Sequence, residues 1–468
     1  MRPPLYHCCA VQTRRVGQKL LYNVNISALW GVMARRWGAQ SMACGTTELA
    51  VLFALWLFVS PVLADGAAKY GQGFVRAGQT WTDGRPAATV AQGIASDADA
   101  KAHRSQIEKL EVSGGPYNSA LAEPLGSLAR FYQQNGNAEQ AQHMYRRALH
   151  VVRVNDGLDS ERQRPIVSAL LSSYRGGGDL EALDQQYDYY FRLFGSGQAP
   201  YSELRLSAAL EYMRWQREAY RLSIDDSGNQ RLLSLLKMNR ELLRGVAADP
   251  AVHYTLYQQL AISQLRNLYL LQADIKPQLD TLGLGKTSQF YGTEPGNMDF
   301  NRQRLEALQR NAIARGRDVF GRLLERIPAN DWQTLAQLRL ELGDWLQWND
   351  MQRQAQEHYV AVSQILQQAG ASDLEQQWLG QPIELPDNGA FWQSLLMSGE
   401  RKVAVEASYD VSERGKASNI RLSVSKEEDR PFAYRLKRKL SETRFRPRYV
   451  NGLPTAAAQI SRRYDVLH

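Results

Sequence analysis

The sequence predicts a mainly α protein, a stack of paired helices forming a repeat solenoid, followed by a small α+β domain of ββαβ order. Three observations carry this. Apolar residues recur with helical period from Ser105 to about Gly370, as one face of an amphipathic helix requires. A pattern of Leu, Tyr, Gly and Tyr within that stretch returns at a fixed offset. Beyond residue 400 the period changes to two, the signature of half-buried strands.

The chain has 468 residues and a formal charge of +8, long enough for two or three domains. After residue 64 there are 50 basic and 47 acidic residues, and 16 and 8 of these lie in 401–468. The positive charge therefore sits in the terminal domain, the helical body is mildly acidic, and a nucleic-acid partner is not expected. A basic patch on one small domain suits an acidic protein partner or an anionic membrane surface. A solvated helix face with Arg435, Arg438 and Lys439 pointing outward is the competing reading.

Leu49 to Val59 is an apolar run, with Arg35 and Arg36 upstream and Pro61-Val62-Leu63-Ala64 before Asp65. This is the order of a secretory signal, and Val62 and Ala64 occupy the positions a signal peptidase reads. Residues 1–64 are thus expected to be an extension and signal peptide, cut between Ala64 and Asp65, with the mature protein in the periplasm. Translation from Met33 or Met42 would place the signal nearer the start. The rival is an uncleaved inner-membrane anchor facing the periplasm, although about 15 apolar residues are fewer than the roughly 20 a span needs. Cys8, Cys9 and Cys44 all precede the cut, so the mature chain would hold no disulfide, thiolate metal site or cysteine nucleophile. Residues 65–104 lack periodicity and read as a flexible mature N-terminus.

The helical body, residues 105–370, is clearest at Leu125, Leu128, Ala129, Tyr132, Gly136, Ala141, Tyr145, Ala148 and Leu149. Small residues let two helices approach, tyrosines fill the space between pairs, and Gly136-Asn137 makes the turn. A shift of 42 residues gives Leu170, Leu171, Tyr174, Gly178, Leu183 and Tyr187. A third copy reads Leu342, Gly343, Leu346, Ala355, Tyr359 and Val362, turning at Asn349-Asp350. These copies resemble tetratricopeptide repeats, whose usual spacing is 34 residues. The excess falls around Asn155-Asp156-Gly157. An irregular helical bundle is the alternative. Stretches 204–221, 229–246, 253–273 and 301–326 read as further amphipathic helices, and 282–296, rich in glycine, as a loop. The resemblance implies a surface lined by the first helix of each pair. Its exposed positions by register are Arg130, Gln133 and Gln134, then Ser172 and Arg175, then Asp344 and Trp348.

Residues 371–395, with Pro382 and Pro386, read as a linker to the terminal domain, 396–468. Val403, Val405, Ala407, Tyr409 and Val411 alternate, Glu413–Lys416 turns, and Ile420, Leu422 and Val424 resume the alternation. Phe432, Leu436 and Leu440 mark a helix after Asp429-Arg430-Pro431. Phe445-Arg446-Pro447 ends it, Asn451-Gly452 turns, and Ala458, Ile460, Tyr464 and Val466 fall on one side of a closing strand. The hairpin Tyr409–Arg421 and the run Arg444-Phe445-Arg446-Pro447-Arg448-Tyr449-Val450-Asn451-Gly452-Leu453-Pro454 resemble the C-terminal domain of the TonB family of energy transducers. That resemblance implies an exposed strand that pairs with a peptide of an outer-membrane receptor. Tyr464 on the closing strand, flanked by Arg444, Arg446 and Arg448, is the place expected for it.

No catalytic or cofactor signature emerges. Leu284-Gly285-Lys286-Thr287 lacks the earlier glycine of a phosphate loop, since Asp280 stands there. His143 and His150 share a helix face without a third ligand. Gly-x-Ser-x-Gly and His-Glu-x-x-His motifs are absent from the sequence, and Trp332, Trp345 and Trp348 read as packing. The expectation is a non-enzymatic periplasmic adaptor or scaffold without cofactor or metal, whose partners are envelope proteins or peptides. The alternative is a TonB-type energy transducer. Such a transducer needs an anchor and an extended spacer, whereas the 14 prolines after residue 64 form no proline-rich run.

Overall fold

A computed structural model describes residues 67–70, 74–80, 97–224, 228–249, 251–274, 295–391 and 402–467, all within one compact unit, Ala64–His468. Ala64, Asp65, the cysteines, the apolar run and the glycine-rich residues 282–294 lie outside the described residues.

The body is helical, with α1 Asp97–Gly114, α2 Ala122–Gln134, α3 Ala138–Asp156, α4 Arg164–Gly177 and α5 Leu180–Leu193. After these come α6 Glu203–Leu222, α7 Gly228–Ala247, α8 Tyr254–Asp274, α9 Pro295–Arg310, α10 Ala312–Leu324, α11 Trp332–Trp348, α12 Gln352–Gln368 and the short α13 Ser372–Leu379. Up to α8 each helix packs on its neighbours in sequence, and apolar clusters succeed one another along the stack. That succession is what distinguishes a repeat stack from a bundle with one centre.

Turn chemistry explains the pairs. Gly136 and Gly178 take φ of 75° and 74°, and Asp350 at the equivalent place takes 59°. The left-handed conformation suits glycine and is tolerated by aspartate. Asn137 and Asp179 then cap the next helices by accepting from the Gln140 and Ala182 amides at 3.4 and 3.0 Å. In the third pair a β-carbon added to Gly343 would lie 2.7 Å from the Tyr359 ring. The small residue of the sequence pattern is there because the facing tyrosine needs the space.

The middle departs from simple pairing. Helix α8 touches α6, α7, α9 and α10, and Leu260, Ala261, Leu265, Leu268, Tyr269, Leu270 and Leu271 are all buried. A helix apolar nearly all round belongs inside. Two of its polar residues are matched, as Arg217 Nη1 donates to Ser263 Oγ at 2.9 Å and Asn267 Oδ1 at 3.0 Å, while Gln264 Oε1 and Gln272 Oε1 are buried without a hydrogen bond.

The terminal unit is a five-stranded antiparallel sheet in the order β1-β2-β9-β4-β5. Its strands are β1 Ala67–Tyr70, β2 Phe74–Thr80, β4 Lys402–Val411, β5 Ala417–Val424 and β9 Ala457–Leu467. Helix α14, Arg430–Glu442, covers one face, packing Phe432, Leu436 and Leu440 against Val403, Val405, Ala407 and Tyr409. Short strands β3 Ile383–Glu384 and β6 Phe445–Arg446 pair, as do β7 Arg448–Val450 and β8 Leu453–Thr455 across Asn451-Gly452.

Three expectations are corrected. Part of the segment read as a flexible N-terminus supplies β1 and β2, and α1 begins within it at Asp97. The segment read as a linker contains α13 and β3. On the closing strand Ala457, not Ala458, is buried, because the register shifts between Tyr409 and Val411 and Gln459 has φ 54°. A bulge of this kind inserts one residue and reverses side-chain parity beyond it. A matching shift occurs where β4 meets β5, at Asn419 with φ 52°. Asp410 ties both, accepting from Asn419 Nδ2 at 2.6 Å and the Gln459 amide at 2.8 Å.

Gly343→Ala tests the close approach. In an open helix position this change stabilises by about 1 kcal/mol; against the fixed Tyr359 ring it is expected to destabilise by about 1–3 kcal/mol in urea unfolding. A gain in stability would show that the two helices are further apart.

Candidate functional site

The residues singled out on the helical repeats divide into two groups. Arg130, Gln134 and Ser172 are exposed. Gln133 is half-buried and accepts a hydrogen bond from the Tyr145 hydroxyl at 3.1 Å. Arg175, Asp344 and Trp348 are engaged internally. Arg175 pairs with the buried Glu218 at 2.8 Å and lies over the Trp215 ring. Trp348 sits between Tyr269 and Phe391, with ring centroids 5.6 and 5.9 Å away.

Asp344 is buried, and its partner is Arg446, also buried. Arg446 Nε donates to Asp344 Oδ1 at 2.8 Å and Nη2 to Oδ2 at 2.5 Å, while Nη1 reaches the Trp378 carbonyl at 2.9 Å. The Tyr359 hydroxyl donates to Asp344 Oδ1 at 2.8 Å. Burial alone would push the guanidinium of Arg446 down in pKa; Asp344, by charge and hydrogen bonding, with Asp387, holds it above its ordinary value. The residue expected to guide a partner is instead the bolt between α11 and the terminal unit. Around it, Arg444 makes two 2.8 Å bonds to Asp350. Gln347 Nε2 donates to the Arg414 and Phe445 carbonyls at 2.8 and 3.1 Å. Arg448 is half-buried on β7.

Glu341 adds a strained charge to this seam. Burial, opposed by Arg266 and reinforced by Asp344, pushes its carboxyl up to about 7. The segment before the terminal unit is held nearby: Arg266 Nε donates to the Asn388 carbonyl at 2.7 Å, and Arg221 Nη1 to the Phe391 carbonyl.

Tyr464 is fully buried. Its hydroxyl donates to Glu384 Oε1 at 2.6 Å and lies 2.8 Å from the Tyr409 hydroxyl, while Arg462 Nη1 is 2.6 Å from the same carboxylate. Burial and the adjacent Glu384 raise the pKa of the Tyr464 hydroxyl. This cluster fastens β3 beneath the sheet. Strand β9 does not present a free edge there either, since β2 pairs with it through Phe74↔Val466, Val75↔Asp465 and Arg76↔Tyr464. Tyr464 is therefore corrected from a partner contact to a core residue.

The other end of the sheet differs. Among the described strands β5 pairs with β4 alone, while just before it Lys416 bridges Arg444. Beside it runs an open groove of about 770 Å³, lined among others by Asn419, Arg421, Tyr434, Lys437, Arg438 and Ser441. Tyr434 is 69% exposed. Positions 434, 437, 438 and 441 form one helical stripe opposite Phe432, Leu436 and Leu440, so the spacing offered this face in advance. Nothing in the strand pattern told which edge would be open. No group of three or more metal-binding side chains occurs among the described residues, and no described helix is long and apolar enough to cross a membrane.

No protein-family model matches the chain, and no curated protein matches it either. Among solved structures it is similar to one described as a circular tandem repeat protein with novel repeat topology and enhanced subunit contact surfaces. Identity is 16%, covering 60% of this chain and 68% of that chain, with a TM-score of 0.28. A likeness at that score carries no argument for fold or function.

Two outcomes check the seam. Truncating Arg446 to Ala leaves Asp344 buried without its countercharge, and unfolding stability should fall by about 3–5 kcal/mol. The double change Arg446→Met with Asp344→Leu should recover most of that loss, and additive losses would remove the pair from its role. Glu341 sets a pH dependence: its folded pKa near 7 exceeds the unfolded value near 4.5, so its ionisation erodes stability as pH rises through that window. Glu341→Gln should be neutral near pH 4 and stabilise by up to about 3 kcal/mol at pH 8, read by urea unfolding at both pH values.

Proposed function

We propose that this protein is a non-catalytic interaction scaffold of the Gram-negative periplasm, a helical-repeat body bearing a TonB-like terminal domain. The observation that carries it is the buried Arg446–Asp344 pair. It fixes the terminal unit to the last helix pair while Arg130, Gln134 and Ser172 on one unit and the β5 edge on the other stay exposed. Two surfaces held at a fixed separation are what a scaffold needs to bring two partners together. The tetratricopeptide-like pattern and the TonB-like run support the same reading, and the signal-like segment before Asp65 supports the location.

The pairing of β9 by β2 weighs against the energy-transducer alternative. In that family the terminal domain takes a receptor peptide on an exposed strand, and here the edge expected for it is used within the chain.

Export is checked by osmotic-shock fractionation followed by N-terminal sequencing. A periplasmic form beginning at Asp65 is expected. A protein that remains in the cytosol overturns the location and with it the envelope partners; a membrane-retained form keeping Leu49–Leu63 revives the anchored transducer.

A further inference from the structure

We propose that the β5 edge and the groove beside α14 form a docking site for an acidic peptide segment in extended conformation, added to the sheet as a sixth strand. This deepens the scaffold reading and rests on it only for the biological setting.

The argument starts from the sheet. β5 spans eight residues, Ala417–Val424, about 25 Å at strand rise. Its inward side is anchored by Ile420, Leu422 and Val424 against the domain core, so the strand's register is set whether or not anything pairs outside it. Its approach at Gly415-Lys416 is bridged by Arg444 and Phe445, and beyond that no second described strand lies against it. An edge of this kind offers backbone donors and acceptors to an incoming strand.

Charge chooses among incoming strands. Arg421, Lys437 and Arg438 line the groove, and all three are exposed. Nearby acids offset them only in part. Glu442 meets Arg438 at 3.5 Å in an exposed pair, which solvent leaves weak. Asp410, bonded to Asn419 and the Gln459 amide, keeps its charge and acts on Arg421, so Lys437 and Arg438 carry most of the groove's positive charge. Three cations around a concavity favour a partner carrying carboxylates at alternate positions, and Tyr434 gives it an apolar platform. A membrane surface is the poorer occupant, because the cations flank a groove whereas headgroups present a broad sheet of charge.

Edge cations also serve to repel unwanted strands. The two roles diverge on binding. The full mature chain is titrated, at 50 and 300 mM salt, into fluorescein-labelled Glu-Val-Glu-Val-Glu-Val-Glu, with anisotropy as readout. The same peptide N-methylated at alternate residues, a Lys-for-Glu version, and vesicles of anionic and of neutral lipid serve as comparisons. Binding of the acidic peptide is expected, weakened at least tenfold by the higher salt, by alternate N-methylation and by Lys437→Glu with Arg438→Glu, and absent for the Lys version. Circular dichroism and the unfolding midpoint of that double variant establish that it folds. The proposal is overturned if the acidic peptide does not bind, if N-methylation leaves its affinity unchanged, or if the folded double variant binds as well as the parent. Binding to anionic vesicles without binding to the peptide replaces it with a membrane-surface role. Peptide binding by purified protein and export to the periplasm are measured separately, so either can fail alone.

Discussion

The architecture depends on a buried ion pair between two parts of the chain about one hundred residues apart in sequence. Taking a guanidinium and a carboxylate out of water costs several kcal/mol each, and mutual attraction repays this only when the remaining hydrogen-bonding capacity is also used. Here it is. Arg446 spends its donors on both oxygens of Asp344 and on the Trp378 carbonyl, and Asp344 also accepts from Tyr359. The arrangement specifies position more than it adds stability, since removing either partner alone leaves the other as an uncompensated buried charge. It draws α11, α12, α13 and β6 to a common point.

The second fixed point, Glu384 beneath Tyr409, Tyr464 and Arg462, turns an apparent linker into structure. Between these anchors, Asn388 and Phe391 are held by Arg266 and Arg221. A consequence follows for the helical repeats. The positions that register marks for ligand contact in the third copy, Asp344 and Trp348, do meet another segment, and that segment belongs to the same chain. Occupation in cis confines any external partner of this repeat face to the earlier copies, around Arg130, Gln134 and Ser172.

What could be read from the sequence follows a physical divide. Turns and pairs are local, so Gly136, Gly178 and Asp350, and the alternation in β4 and β5, carry their signal within a few residues. Long-range pairing has no such signal. β2 joins β9 across nearly four hundred residues, and Phe74–Thr80 has no apolar–polar alternation to announce itself as a strand. Parity beyond a bulge is equally hidden, which is why Ala458 was expected inside where Ala457 is. Arginines mislead most. Arg444, Arg446 and Arg175 look like surface charges by type, and only the fold shows that each has an acidic residue from a distant element waiting for it. The sequence marks Arg435, Arg438 and Lys439 as the outward face of this helix, whereas the stripe at 434, 437, 438 and 441 takes its meaning only from the strand beside it.

Which edge of the sheet is free is therefore a question settled outside the ββαβ unit. The unit alone has two edges, β5 and β9, and nothing in its own alternation ranks them. Adding β2 to β9 pairs backbone groups of that edge, with Phe74, Val75 and Arg76 as its paired positions, and among the described residues makes β1 the outer strand on that side. The two outer strands are then unlike. β1 is four residues long, too short to template much pairing. β5 is twice that length and has its inward side chains packed and a cationic groove along it. Length, packing and charge thus converge on the same strand, and by these three measures the sheet has one end built to stop and another built to continue.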